Sequence, residues 1–441
     1  MSDGTTGAAL YRAGFAQVDI TPPVGSSLAG YFHDRVATRV RDPLHAKAMV
    51  IDSDGTRLAL VACDLICLDR ETTVPAKDLV LERTGIAPER VLACATHTHT
   101  GPEIRVSTAH IPVDEDYLAR LPGLLADAVA QAEEAMVPVT LRPGRAQCAG
   151  YSFNRLFRLK DGSEVFGASG RDEQIISEAG PIDPELQTLS AMDEEGRLRG
   201  MVVNFALHPD VIGGGSADFI SADWPGEIGR NVAAVYGEDV VTLFLQGTCG
   251  DINHRIHRPT LLPTGGEAKA VQIGRGLAGL AMYAAEQAEP MTAAELAVAG
   301  RVLSIPYYTR TRELRDEIER MKAKGELSAA ERYLVALTEN WPHDNEIAGV
   351  PVQVLRIGDV AVVGLPAEIF VRIGLDIKHW SPAKHTLVVE LANERVSGYV
   401  PSTDQAGRGA YGAKPILSRW LSEDAGRRMA DAAVVMLHEL W

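Results

Sequence analysis

The chain has 441 residues, 46% hydrophobic and 23% charged, with a formal net charge of −16. That length can bury a sizeable core and a deep pocket. The acidic balance argues against a nucleic-acid backbone or an anionic membrane surface as the main partner. The five cysteines are odd in number and too few for a disulfide framework, which fits a reducing compartment. Cys63 and Cys67 share one apolar run and read as small buried hydrophobes. The opening MSDGTTGAALYRAG has no basic segment followed by an apolar one, and no stretch reaches about 18 uncharged apolar residues. A cytoplasmic protein without a membrane span is expected.

Residues 1–9 are small and polar and read as a loose tail. AGFAQVDITPP reads as a strand ended by Pro22 and Pro23, and GSSLAGYFH as a Gly-rich loop. HAKAMVID and TRLALVACDLICLD form a strand pair across a tight turn, the second strand apolar enough to be buried on both faces. Residues 71–85 read as a helix, RVLACAT as a strand, and 113–136 as a helix with its acids first. Strand, helix, strand, helix indicates an α/β domain.

LQTLSAMD, LRGMVVNFALHPD and VVTLFLQGTCGDIN follow as strands, with ADWPGEIGRNVAAVYG entering one helix and EAKAVQIGRGLAGLAMYAAEQAE forming another. The charged segment 310–340 reads as an exposed helical hairpin inserted between strands. VPVQVLRIGDVAVVGLPAEIF is a strand pair turning at Gly358 and Asp359, HTLVVELANERVSGYVP a strand running into a loop, and 420–441 a closing helix. No repeat or low-complexity linker divides the chain. The expected fold class is α/β, with mixed β-sheets flanked by helices in one large catalytic domain over 10–441.

Polar residues fall repeatedly just past apolar strands: His97 and His99, His208, Asp251 and Asn253, Glu368, and Tyr399. Ligands of open α/β sheets bind beyond the carboxyl ends of strands, so these positions predict one convergent site. His97 and His99 share a side of an extended chain, and either imidazole can bind a metal or move a proton near neutral pH. The plainer alternative is a pair of hydrogen-bonded histidines at a strand end. Pro209 biases His208 to extended geometry. Glu368, between apolar residues, needs a partner or a cation if ionised; otherwise it is an acid in the first turn of a helix.

These blocks resemble the catalytic domain of the neutral ceramidases, zinc-dependent amidases that cleave the N-acyl bond of ceramide. AGFAQVDITPP with AGYFH resembles that family's opening, and LVACDL followed by ATHTHTGPE its His-Thr-His signature. FISADWPG, FLQGTCGDIN, LPAEIF and GYVPST follow in the family's order, so the resemblance spans about residues 12–415. It implies one zinc ion per chain held by His97, His208, Glu368 and Tyr399. It places His99 beside the metal as a proton-transfer or oxyanion-stabilising group. Arg155 matches an arginine near the scissile amide, and Tyr411 a second tyrosine facing the substrate.

Gly247 stands where the family usually carries a serine, and Thr248 is the nearest stand-in. The sequence shows neither the family's secretion signal nor its C-terminal β-sandwich, nor an apolar membrane-contact segment. The expected substrate is therefore a soluble amide or acyl compound. A ceramidase acting on lipids, an esterase or lactonase, and a small-molecule binding protein on the same fold are the alternatives. The segment after His99 is Thr100-Gly101, not the Asp-His of metallo-β-lactamases, and no Gly-x-Ser-x-Gly elbow appears. Homo-oligomeric assembly stays open.

Overall fold

The computed structural model describes residues 11–106, 111–167, 170–255 and 261–441. The expected tail over 1–9 lies outside the described residues. Eight strands form one mixed sheet: β1 (Tyr11–Asp19), β2 (His45–Ser53), β3 (Thr56–Cys63), β4 (Val91–Ala95), β5 (Val137–Gln147), β6 (Glu185–Met192), β7 (Leu198–Phe205) and β8 (Val241–Gln246). Their order across the sheet is β8-β7-β6-β5-β1-β2-β3-β4. A second sheet runs β9 (Leu296–Pro306), β10 (Ile347–Ile357), β11 (Val360–Gly364), β12 (His385–Val389). The main helices are α1 (Arg70–Thr84), α2 (Glu115–Glu134), α3 (Asp223–Tyr236), α4 (Gly266–Glu286), α5 (Arg312–Lys322), α6 (Ala329–Glu339), α7 (Val371–Trp380) and α8 (Ala425–Leu440).

Neighbouring strands of these two sheets are antiparallel except β3–β4, β7–β8 and β11–β12. Parallel neighbours need a crossover, and the three crossovers contain α1, α3 and α7. Alternate side chains along the strands face opposite ways. Met49, Leu60, Leu92, Val202, Leu245, Val362 and Val389 belong to a core shared by both sheets. The opposite faces lie under helices: Val50 and Val61 under α1 and α2, Val203 and Phe244 under α3 and α4, Val354 and Val388 under α7 and α8. Burial on both faces is why these strands read as near-continuous apolar runs. Each such Leu, Val or Ile contributes about 1.5–3 kcal/mol relative to exposure.

The expected helices at 71–85, 113–136 and 310–340 all appear. The inserted hairpin is well capped: Thr311 accepts from Leu314 N, and Ser328 forms a capping box with Glu331. Its buried side chains, Leu314, Ile318, Met321 and Leu334, pack against Ile416, Leu417 and Trp420. One boundary differs from expectation. The run TRLALVACDLICLD leaves the sheet after Cys63, where Asp64 accepts bonds from His45 N (3.0 Å) and Thr96 Oγ1 (3.2 Å). The carbonyls of Leu65 and Ile66 are thereby free to hold His97. Among the described residues no helix is long and apolar enough to cross a membrane. The five cysteines are free and buried.

Candidate metal centre

The carboxyl ends of five strands converge. Ala95 N, at the end of β4, bonds Leu391 O (3.3 Å); Glu390 N, after β12, bonds Gln246 O (3.0 Å); Gly247 N bonds Phe205 O (3.0 Å). His99 N bonds Pro209 O (3.3 Å), which brings the His97-Thr98-His99 segment beside His208. Glu368, past β11, sits on a two-residue parallel bridge directly opposite Tyr399. It therefore belongs to an extended segment ahead of α7, not to the first helical turn.

At this meeting point three imidazoles face one another. His208 Nε2 is 3.1 Å from both His97 Nε2 and His99 Nε2, which are 3.4 Å apart. His97 has φ +70°, a left-handed conformation that a side chain of this size rarely adopts. The surrounding backbone holds it there: His97 N bonds Leu65 O (2.9 Å) and Nδ1 donates to Ile66 O (2.6 Å). That bond leaves the Nε2 lone pair aimed into the cluster. His208 Nδ1 lies 3.6 Å from Cys249 Sγ. Glu368 Oε2 is 3.3 Å from His97 Nε2 and is a buried oxygen without a hydrogen-bond partner.

The donor set fits a metal ion. Nitrogens bound to a tetrahedral zinc at about 2.0–2.1 Å stand roughly 3.3 Å apart, close to the spacing here. Three converging nitrogens cannot all be satisfied by shared protons, whereas a central cation satisfies them and the orphaned carboxylate together. Without an ion, the cluster draws a proton onto His97 instead. Burial works against the charge on His97, but Glu368 outweighs it and raises that imidazole. Burial and the His97 charge push His99 and His208 well below the ordinary range. Burial alone would raise the Glu368 carboxyl, yet His97 and the Tyr399 hydroxyl bring it down to about 2.

The remaining expected residues gather around this cluster. Arg155 follows a short strand paired with Ile252–Asn253, and its Nη1 lies 3.5 Å from Tyr399 Oη. Tyr411 meets Tyr399 edge-on at 5.5 Å between ring centres and stacks on Phe166 at 5.2 Å. Burial, with Glu368 beside it, raises the Tyr399 phenol well above its ordinary value. Arg155 also lines a cavity of about 780 Å³ together with Tyr31, Asp210, Asn253 and His254.

Gly247 has a steric reason. A Cβ there would stand 2.8 Å from the Ala206 nitrogen and the Phe205 carbonyl carbon, so no side chain fits without moving backbone. Thr248, the expected stand-in, packs its side chain against Gly374 of α7.

Sequence reasoning missed several residues that position the site. Tyr31 donates to Asp210 Oδ1 (2.6 Å), and that oxygen lies 4.0 Å from His99 Nδ1. Arg35 donates to His99 O (2.7 Å). Gly30, at φ +102°, lies so close that a Cβ would be 2.5 Å from His99 Nδ1. Glu390 accepts from Cys249 N (3.0 Å) and Ile369 N (2.8 Å). The signals were present: Tyr31 and Asp210 lie inside AGYFH and ALHPD, and Glu390 is a lone acid closing an apolar strand. Asp251, expected near the chemistry, is instead a strut bonded to Val371 N (2.7 Å), Asn154 Nδ2 (2.8 Å) and Gln405 Nε2 (2.7 Å).

No family model matches the sequence, and no curated protein matches it. Solved structures do. One is a ceramidase complexed with C2, with a TM-score of 0.76 and 18% identity over 97% of this chain and 75% of that one. Another is the neutral ceramidase from Pseudomonas aeruginosa, with a TM-score of 0.77 and 21% identity over 98% of this chain and 75% of that one. At such identities the likeness establishes architecture: the chain has the fold of the neutral ceramidases.

Proposed function

We propose that this chain is a metal-dependent hydrolase of carbon–nitrogen bonds other than peptide bonds, an amidase cleaving the N-acyl bond of a soluble small molecule. One observation carries the reading: on a ceramidase fold, His97, His208 and Glu368 converge beside His99 and Tyr399, and Arg155, next to Tyr399, also lines a cavity. His97, His208, Glu368 and Tyr399 would hold one zinc ion. Zinc in such a set supplies Lewis acidity and brings the pKa of water toward about 7.

The other groups have roles set by position. Arg155 faces the oxygen that gains charge when the amide carbonyl is attacked; loss of such a donor costs about 10²–10³ in rate. His99 takes a proton from the attacking water and returns one to the leaving nitrogen. Asp210, beside His99 Nδ1, favours the tautomer that keeps Nε2 free for this work. Tyr411 backs Phe166, a ring that lines the cavity, and holds that wall for the substrate. The cavity sets Arg155, Asp210, His254 and Arg255 beside Phe153, Phe157 and Phe166, and these charged groups favour a soluble amide over a long-chain lipid.

A second reading has its own observation. The three Nε2 atoms are almost equally spaced, so His99 can serve as a third nitrogen ligand. A His99→Ala variant separates the two: zinc kept and turnover lost supports the proton-transfer role, and zinc lost supports the ligand role. For the function itself, the purified protein is assayed for metal and offered a panel of small N-acyl amides, esters and lactones. About one zinc per chain with chelator-sensitive, phosphonate-resistant amide hydrolysis is expected. A metal-free protein inert on the whole panel overturns the proposal and leaves a small-molecule binder on this fold.

A further inference from the structure

The cavity has a polar corner lined by none of the three facing imidazoles. The start of α4, a 21-residue helix, opens onto it: Thr264, Gly265 and Gly266 line the wall. Gly265 is the N-cap and no side chain caps this end. Gly266 N bonds Val211 O (2.8 Å), tying the helix start to the loop that carries Asp210. The amides that follow in the first turn have no partner within the helix, and the helix dipole makes this end attractive to anions.

His254 supplies an independent pointer. It lines the same cavity and is only 6% exposed, yet its Nδ1 has no hydrogen-bond partner. Its Nε2 is 4.0 Å from where a Cβ of Gly265 would stand, so ring and helix start adjoin. Burial lowers the His254 imidazole to about 4; Asp210 opposes that shift, while Arg255, Lys269 and Arg155 add to it. The ring is thus a neutral donor among three cations from three segments. Lys269 is buried, and its Nζ bonds Gln272 Oε1 (3.1 Å) and faces the Tyr151 ring. Glu267, in the first turn of α4, is turned toward Arg41 (2.9 Å).

We propose that this corner binds a carboxylate of the substrate, and therefore that the substrate is an amide bearing a free carboxylate, as in an N-acyl amino acid. Thr264, Gly265, His254 and Arg255 receive the anion, and Arg155 lines the same cavity with its Nη1 3.5 Å from Tyr399 Oη. A monoanion suits the site better than a phosphate, because the carboxylates of Asp210 and Asp172 line the same cavity. The inference rests on the amidase reading for the bond cleaved, but not for the binding.

Hexanoate and 1-hexanol, neither of which has an amide to cleave, are titrated into the zinc-loaded full chain by calorimetry. Hexanoate is expected to bind at least tenfold more tightly, and His254→Gln and Arg255→Gln each to weaken it about tenfold. Kinetically, each variant raises KM for an N-acylglycine at least tenfold more than for the matching N-acylglycinamide. Equal affinity for the two probes overturns the inference. So does hexanoate binding that both variants leave unchanged, which would place the carboxylate on the metal instead. Hexanoate binding that depends on His254 and Arg255, with no amide turned over, keeps this inference and removes the amidase reading. Amide turnover indifferent to the carboxylate does the reverse.

Discussion

Three buried histidines, His97, His208 and His254, and the half-buried His99 divide into two kinds. His97 and His208 have their Nδ1 atoms engaged, one by the Ile66 carbonyl and one near the Cys249 sulfur. His99 and His254 have Nδ1 atoms without a hydrogen bond, although Asp210 Oδ1 stands 4.0 Å from His99 Nδ1. An imidazole held by its outer nitrogen has a fixed tautomer and a fixed direction, the usual condition of a metal ligand. An imidazole without that hydrogen bond is not fixed in its tautomer by one. The proposed reading puts the first pair on the ion and the second pair beside the substrate.

Removing one member of each kind tests that division, and the largest effect is expected in the anchored pair. His97→Ala should lose the metal, and turnover should fall to the level of chelated protein; full zinc content with normal turnover in this variant, by metal analysis and amide assay, would end the assignment. His99→Ala should keep the metal and lose about 10²–10⁴ in kcat, with a flattened pH–rate profile. If metal content falls in both variants alike, the two histidines are of one kind after all.

Much of this arrangement was legible in the sequence, and the reason is local. Strands buried on both faces announce themselves as apolar runs, and a polar residue closing such a run stands out; His97, His208 and Glu368 were found that way. What pairs across the chain was not legible. The register that sets Glu368 opposite Tyr399 is made by two residues 31 positions apart in sequence and depends on a loop, not on a pattern. Asp251 closes an apolar run just as His208 does, yet its partners are Val371, Asn154 and Gln405. Whether a strand-end acid faces solvent, a ligand or three amide groups is decided by segments far away in the chain.

Glu390 offers a subtler break in the comparison, because it braces the surroundings of His208 and Glu368. It holds Ile369 N, next to Glu368, and Cys249 N, whose side chain faces His208. Glu390→Gln keeps the shape and removes one acceptor. Zinc affinity is expected to weaken by about 10–100-fold, read by competition with a chromogenic chelator. Zinc affinity equal to that of the parent would mean that His208 and Glu368 hold their directions without it.

The smallest effect concerns Asp223, which organises the loop between His208 and the cavity. Its carboxylate accepts from Val211 N (2.9 Å), Ile212 N (3.0 Å) and Trp224 N (2.6 Å). Burial nevertheless raises it to about 7, the three amides only partly offsetting the cost of the charge. A carboxyl whose folded pKa lies above its unfolded value, about 3.9, binds more protons in the native state between those two values. Its contribution to stability is complete below about 4 and is lost as pH rises through 7. Urea midpoints measured between pH 4.5 and 7.5 should therefore fall more steeply with pH for the parent than for Asp223→Asn, which cannot titrate. Parallel midpoint curves would show that the three amide bonds hold the carboxylate ionised throughout that range. The loop carrying Asp210 would then be fixed by charge-assisted bonds at every pH where the enzyme works.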